Sequence, residues 1–294
     1  MSYNIQEYIG RLDQVLSELI PDASRTRLKS EIQAGNVSVD GKVVTKPSTN
    51  VDEASSISCT LSLEEKLLKL EPVAMDLDVI YEDKDLIVVN KPRGILVHPG
   101  DTGTEPTLVA GVLAHCKKLA KTDNPMRPGV VHRLDRHTEG LLVFAKTTKA
   151  FEGLKTQFQE RTLVKKYYAM LKGNLPENEY HIETQMGRHR QQRHKQTSFS
   201  PVPGTEKQAI STIKIKNRYN TKTFCDIQIH TGRTHQIRVH CSELGYPVLG
   251  DTVYDPNCGK NYDGQLLQAY FLSFDHPSTE KKMTFELEPS KIFS

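Results

Sequence analysis

Apolar residues near the start of the chain recur at helical spacing. Leu12, Val15, Leu16, Leu19 and Ile20 fall on one face of a helix, and Pro21 and Asp22 break it. Ser24 is placed to cap a second helix, whose apolar face carries Leu28 and Ile32 and which stops at Gly35. The period then drops to two. Val37-Ser38-Val39, the turn pair Asp40-Gly41, and Lys42-Val43-Val44 read as a tight hairpin. The segment LSLEEKLLKLE before Pro72 reads as a linker or connecting helix. We therefore place a boundary near residue 70, with a small unit over 1–70 and a larger one over 71–294.

The larger unit opens with Val79-Ile80-Tyr81, a polar turn, and Leu86-Ile87-Val88-Val89, a second hairpin. An apolar strand covers Leu141 to Ala145. Thr147 or Thr148 then caps a helix presenting Ala150, Phe151, Leu154 and Phe158. Val164 to Leu171 reads as a strand with Lys165, Tyr167, Ala169 and Leu171 on one face. Phe224 to His230 is another, followed by a helix from Thr234 to Leu244 closed at Gly245. Strands interrupted by only some helices predict an α+β fold with a mixed, mainly antiparallel sheet.

Composition narrows the class. The 294 residues are 37% hydrophobic and 26% charged, as in globular proteins. No apolar stretch approaches the roughly 20 residues of a membrane span, and the N-terminus lacks the features of a signal peptide. Five cysteines without C-x-x-C spacing disfavour a disulfide framework or cysteine zinc site and point to a reducing cytoplasm. The net charge is only +3, so its distribution matters more. From Gly187 to Thr205 there are Arg188, Arg190, Arg193, Lys195, His189 and His194, and no acid. Such a run is ordinarily a solvated loop; the sharper reading is a strip that contacts phosphates.

The segment His132 to Leu142, HRLDRHTEGLL, sets one acid, Asp135, among basic and imidazole side chains just before the Leu141–Ala145 strand. Cations beside a carboxylate hold it ionised, and an ionised carboxylate can be a nucleophile or a base. An isolated Asp is more often a turn or cap residue. Two other segments offer it company. Arg238, in Thr231 to His240 (TGRTHQIRVH), lies one turn after the expected Thr234 cap and can pair with a carboxylate. Tyr167 can stack on a base or donate through its hydroxyl. The ordinary alternatives are a surface ion pair for Arg238 and a half-buried core ring for Tyr167.

These motifs carry a resemblance. RLDQVLSELIPDASRTRLKSEIQAGNVSVDGKVV resembles the RNA-binding module named after small-subunit ribosomal protein S-four, which implies RNA contact through Arg25, Arg27 and Lys29 on the second helix. HRLDRHTEGLL, the K-x-Y-x-A pattern at Lys165, Tyr167 and Ala169, TGRTHQIRVH, and GYPVLGD at Gly245 to Asp251 resemble the pseudouridine synthases of the RluA type. The N-K-P-x-G-x-x-V-H-P run within Tyr81 to Pro99 and Phe274-Asp275-His276-Pro277 fit as well, so the likeness spans nearly the whole chain.

The resemblance implies that Asp135 is the catalytic aspartate, Arg238 its salt-bridge partner and Tyr167 the residue against the target base, with a part in removing the C5 proton. It implies that Arg133 enters the RNA stack in place of a flipped nucleotide, and that Arg188, His189 and Arg190 belong to an RNA-binding strip. Two positions depart from the pattern. Glu139 stands where Ser is usual, which would perturb Asp135 or pair with Arg136, and Gln268 stands where a His is common.

Uridine-to-pseudouridine conversion is an isomerisation, so no cofactor is expected, and no H-E-x-x-H, P-loop or dinucleotide fingerprint is present. The expected substrate is structured RNA, with large-subunit ribosomal RNA favoured and tRNA an alternative. A monomer is expected, with no membrane partner and no metal. Two other readings compete: a ribosome-assembly factor that binds RNA without chemistry, and a metal-dependent hydrolase using His235 and His240, whose spacing of five suits one helix face poorly.

Overall fold

The computed structural model describes residues 2–4, 9–20, 23, 25–52, 55–60, 70–100, 105–192, 194–258 and 262–294, with backbone alone at 2–4 and 25–27. The chain divides into two compact units, residues 1–68 and 69–294. The expected Pro21-Asp22 break, the Ser24 cap and most of the 61–71 segment lie outside the described residues.

In the first unit, chain order is β1 (Ser2–Asn4), β2 (Gly10–Arg11), α1 (Leu12–Leu19), α2 (Arg25–Gln33), β3 (Val37–Val39), β4 (Lys42–Val43), β5 (Asn50–Val51) and β6 (Ser56–Cys59). The apolar stripe of α1 forms one core with Leu28 and Ile32 of α2 and with Val37, Val51, Ile57 and Cys59. β1, β6, β3 and β4 make a four-stranded sheet in that order, and β2 pairs with β5. Asp40 (φ 52°) and Gly41 (φ 75°) both take the left-handed conformation that a two-residue hairpin turn demands.

In the second unit the strands are β7 (Asp78–Glu82), β8 (Leu86–Lys91), β9 (Glu139–Ala145), β10 (Val164–Lys172), β11 (Glu179–Arg188), β12 (Gln196–Thr197), β13 (Lys207–Arg218), β14 (Lys222–Ile229), β15 (Leu267–Asp275) and β16 (Lys282–Glu286). The helices are α3 (Leu108–Cys116), α4 (Thr148–Glu160) and α5 (Gln236–Glu243). One ten-stranded sheet runs β12-β11-β13-β14-β10-β15-β9-β8-β7, with β16 on β15. Every pairing is antiparallel except β9 with β15, where Glu139 faces Gln268 and Gly140 faces Ala269. The fold is thus α+β with a mostly antiparallel sheet.

The β9–β15 junction is tight. Gly140 has φ +116°, and a Cβ there would run into the Ala269 carbonyl, so the glycine of the TEG triplet is a packing requirement. One sheet face carries Ile87, Val89, Leu142, Phe144, Tyr167 and Ala169 under Leu108, Val109 and Val112 of α3 and Ile237 and Cys241 of α5. The other carries Leu86, Val88, Val143 and Leu272 under Ala150 and Leu154 of α4, which Thr147 caps by accepting the Ala150 N–H.

The sequence pattern did not mark α3, because LVAGVLA is apolar on every side and has no amphipathic period. β11, β13, β15 and β16 were likewise not anticipated; the outer strand β11 alternates with side chains as polar as Thr184 and Glu183. The helix expected from Thr234 begins instead at Gln236. His235 is its left-handed N-cap (φ 59°), and the Gln236 side-chain oxygen braces the preceding turn by accepting the Arg233 N–H and the Thr231 hydroxyl. Among the described residues no helix is long and apolar enough to cross a membrane.

Candidate active site

Asp135 lies in the loop that leads into β9, in a turn closed by the Thr138 N–H on its carbonyl. Its Oδ2 accepts a hydrogen bond from Arg238 NH1 at 2.9 Å, and both side chains are largely buried, 17% and 6% exposed. The rest of the Arg238 guanidinium is clamped by Asp251, which accepts Nε at 2.7 Å and NH2 at 2.8 Å. Asp251 is 1% exposed and also accepts the N–H groups of Val253 and Tyr254. Burial would lower the Arg238 pKa, but its hydrogen bonds to Asp251 and Asp135 carry it above the ordinary value. The cation is permanent, and the two-pronged grip of Asp251 leaves NH1 with one direction, toward Asp135.

Tyr254 lies beneath this arginine, ring centre 5.2 Å from Cζ, a cation–π contact. Its hydroxyl accepts the Gln196 N–H at 2.9 Å and lies 2.9 Å from His235 Nδ1. The hydroxyl proton is therefore free to point at Nδ1, which puts the His235 proton on Nε2, 3.9 Å from Asp135 Oδ1. Burial lowers the His235 pKa, so the ring is neutral near pH 7.

Tyr167 is 7% exposed on β10. Burial first, and then the charge of Asp135, push its phenol far above the ordinary range. A phenol so placed stays protonated, which favours stacking or donation over proton abstraction. Arg133 is exposed beside Asp135 and has no hydrogen bond or ion pair with another described residue.

The expectation that neighbouring cations hold the Asp135 charge is corrected by the geometry. His132 is half-buried, stacks on Phe158 at 4.7 Å and accepts the Val143 N–H at Nε2. Burial and Lys165 push its pKa down to about 3, so it is neutral. Arg136 points away to Glu105. The paired cation comes from α5 instead.

Glu139 does not pair with Arg136. Its carboxylate accepts the Ser290 hydroxyl, and Gln268 beside it bonds the Ser290 N–H and the Glu288 carbonyl. The two departures from the family pattern are thus neighbours across β9 and β15, and both hold the C-terminal segment.

The basic candidates divide. Arg188 is exposed and its side chain has no partner among the described residues. His189 Nδ1 accepts the N–H groups of Gln191 and Gln192, and Arg190 donates to the Ser200 and Pro201 carbonyls, so both shape the loop. The side chains of Arg25 and Arg27, and Arg193, lie outside the described residues. Lys29 Nζ is 3.7 Å from the buried carboxylate of Asp13.

His240 is 2% exposed between Thr184 and Ser211, its pKa pushed down to about 4 by burial. It is a core residue. Among the described residues, groupings that could reach a metal ion involve Glu82, His115 and Cys116, or Asp83, Asp85 and His276; neither includes His235 or His240.

Sequence reasoning assigned no role to Asp251, Tyr254 or Lys91, and gave His235 only the metal-ligand role of the competing hydrolase reading. Asp251 ended a motif already noted, GYPVLGD, and its fixed place there was the available signal. Lys91 is fully buried, donates to the carbonyls of Pro92, Ile95 and Arg136, and so pins the Asp135 loop to the turn after β8. Burial pulls its pKa down to about 7, against the opposing effect of Asp135.

A family model described as RNA pseudouridylate synthase matches residues 85–243, and one described as S4 domain matches residues 10–57. The chain is 39% identical over 277 residues to an uncharacterized RNA pseudouridine synthase of Bacillus subtilis, covering 94% of this chain and 89% of that one. It is 41% identical over 296 residues to ribosomal large subunit pseudouridine synthase D of Neisseria meningitidis, covering 97% and 77%. Among solved structures, human RNA pseudouridylate synthase domain containing 1 is 24% identical with a TM-score of 0.60, covering 74% of this chain and 86% of that one, which is a likeness of fold.

Proposed function

The chain belongs to the RNA pseudouridylate synthase family and is an isomerase of uridine in RNA, with an S4 domain in front; from that premise we propose that it modifies uridines of large-subunit ribosomal RNA, with Asp135 as the catalytic carboxylate. The observation that carries the assignment is the chain Asp135–Arg238–Asp251, with Tyr167 near enough for the charge of that carboxylate to act on its phenol. The RNA target is supported by the name of the Neisseria relative and by the S4 domain. The expected setting is the cytoplasm, and all the groups named come from one chain, so the site needs no second copy.

In the reaction the N1–C1′ bond breaks, the base turns, and C5 bonds to C1′. C5 loses a proton and N1 gains one, so atoms and electrons balance without an oxidant. Attack of the carboxylate on C1′, attack on C6, and removal of a sugar proton are three routes to the product. Each requires an ionised carboxylate held in one orientation, and Arg238 provides both conditions. The Asp135 side chain is only 17% exposed, which supports a reading in which the target nucleotide leaves its stack to reach it. The target therefore flips out, at a cost of a few kcal/mol in lost stacking. Exposed Arg133 is positioned to fill the gap, and the neutral Tyr167 to stack on the base or donate to it.

The test is Asp135→Asn, mapped for pseudouridine on large-subunit ribosomal RNA alongside an RNA-binding measurement. The expected result is RNA binding without product. Product formation by the variant at the wild-type rate overturns the assignment, and wild-type product confined to tRNA overturns the choice of substrate.

A further inference from the structure

Beside the site is a cleft of about 450 Å³, walled by α4, by the start of β10 and by the turn after β14. It presents Lys155, Arg161, Lys165 and Arg233, with Phe158 and His230 between them, and no carboxylate among its lining residues. We propose that this cleft binds a backbone phosphate of the RNA strand next to the flipped uridine. The proposal rests on the reading above that the chain acts on RNA.

Its place follows from shared walls. Phe158 stacks on His132, three residues before Asp135, and Lys165 Nζ lies over the other side chain of that contact, 5.2 Å from the Phe158 ring centre. Lys165 is two residues before Tyr167 on the same strand, and Arg233 two residues before His235. A strand that delivers a nucleotide to Asp135 therefore runs by the cleft.

The cations are held ready. Arg233 donates Nε to the Gln208 carbonyl, and Arg161 donates NH1 to the Gln208 side-chain oxygen, so a neutral residue orients both guanidinium groups, and its amide donates in turn to Glu183 outside the cleft lining. The Lys165 amine has no hydrogen bond or ion pair among the described residues; burial and Arg233 pull its pKa down to about 8. A Cβ at residue 232 would stand 3.3 Å from that amine, so Gly232 leaves room for it. Lys155 pairs with Glu152 at 3.5 Å on the exposed side of α4, whereas Arg161, Lys165 and Arg233 have no ion pair among the described residues. Cations that face one cleft without a direct ion pair repel one another until an anion arrives. The volume exceeds a lone phosphate and suits a phosphate with its sugar.

The experiment uses the full chain carrying Asp135→Asn, so that RNA binding is read without turnover, and unmodified transcribed large-subunit ribosomal RNA. Arg161→Gln and Lys165→Met are each expected to weaken binding roughly fivefold and to flatten the plot of log affinity against log salt by about 0.7–0.9. In the active protein both are expected to raise KM with kcat nearly unchanged. Arg161 is exposed at the end of α4, so that variant decides the matter if Lys165→Met fails to fold. Wild-type affinity and salt slope in Arg161→Gln overturn the proposal. So does binding of inorganic phosphate or free uridine monophosphate that both variants lose while RNA binding is unchanged, since the cleft then serves a small anion. If Asp135→Asn keeps its turnover, the catalytic assignment fails while the salt slopes still report on the cleft.

Discussion

We expect turnover to depend on Asp251, which is buried behind Arg238. Replacing it with Asn keeps the size and removes the charge. In the native protein its two oxygens accept Nε and NH2 of Arg238 and the N–H groups of Val253 and Tyr254. An amide puts an NH2 group against one of these donors, so at least one hydrogen bond becomes a clash of donors. A hydrogen bond to a charged group is worth about 1.5–3 kcal/mol, and removing one partner of a buried ion pair costs about 3–5 kcal/mol. A loss of about 3 kcal/mol in stability is expected, read as a lowered Tm. The catalytic effect is separate. With its clamp gone, Arg238 no longer aims NH1 at Asp135, and a misplacement near 1 Å at a reacting group costs roughly 100-fold in rate. The assay is single-turnover release of tritium from RNA labelled at uridine C5, since that hydrogen leaves when C5 bonds to C1′. We expect kcat to fall about 100-fold, with RNA affinity within a factor of two of wild type. A lower Tm with unchanged kcat makes Asp251 a structural residue only and refutes the reasoning.

Acid should weaken the fold through His132 and His240. Their pKa values, about 3 and about 4, lie below the roughly 6.5 of an unfolded histidine. Between those limits the unfolded chain binds protons that the native one does not, so this stability is present above about pH 6.5 and is lost as pH falls. The slope is at most about 1.4 kcal/mol per pH unit per histidine, and urea unfolding at pH 7 and 5 should differ by about 3 kcal/mol, with His240→Gln showing the smaller difference; equal stability at both pH values contradicts the burial argument. Glu139→Ser should free the C-terminal segment from β9 and leave kcat within about threefold, because Glu139 contacts Ser290 and not Asp135; a large fall in kcat in the tritium assay would tie Glu139 to the chemistry. Deleting residues 1–70 should leave the rest folded by circular dichroism and weaken RNA binding; an insoluble remainder contradicts the two-domain proposal.

Wherever neighbours in sequence decide the structure, the chain alone was informative. The 3.6 spacing of Leu12, Val15 and Leu16, the Asp40-Gly41 turn, the Thr147 cap and the strand carrying Tyr167 are local matters, and the structure has each of them. The motif order was sufficient to single out Asp135, Arg238 and Tyr167, because those segments match a family along their own length. α3 was missed because a helix buried all round has no polar face to give a period.

What tertiary structure decided is where charges and protons reside. Asp135 and Arg238 are 103 positions apart, and only the sheet and α5 bring them to 2.9 Å. In sequence, His132 and Arg136 looked like the cations of Asp135; in space one is a neutral ring under Phe158 and the other turns to Glu105. Asp251 appeared as the end of a motif and proves to be what orients the arginine. Burial and angle set these properties, and both depend on which distant residues surround a group. Sequence spacing specifies residue types, and desolvation and hydrogen-bond direction, fixed only in the folded chain, specify what those types do.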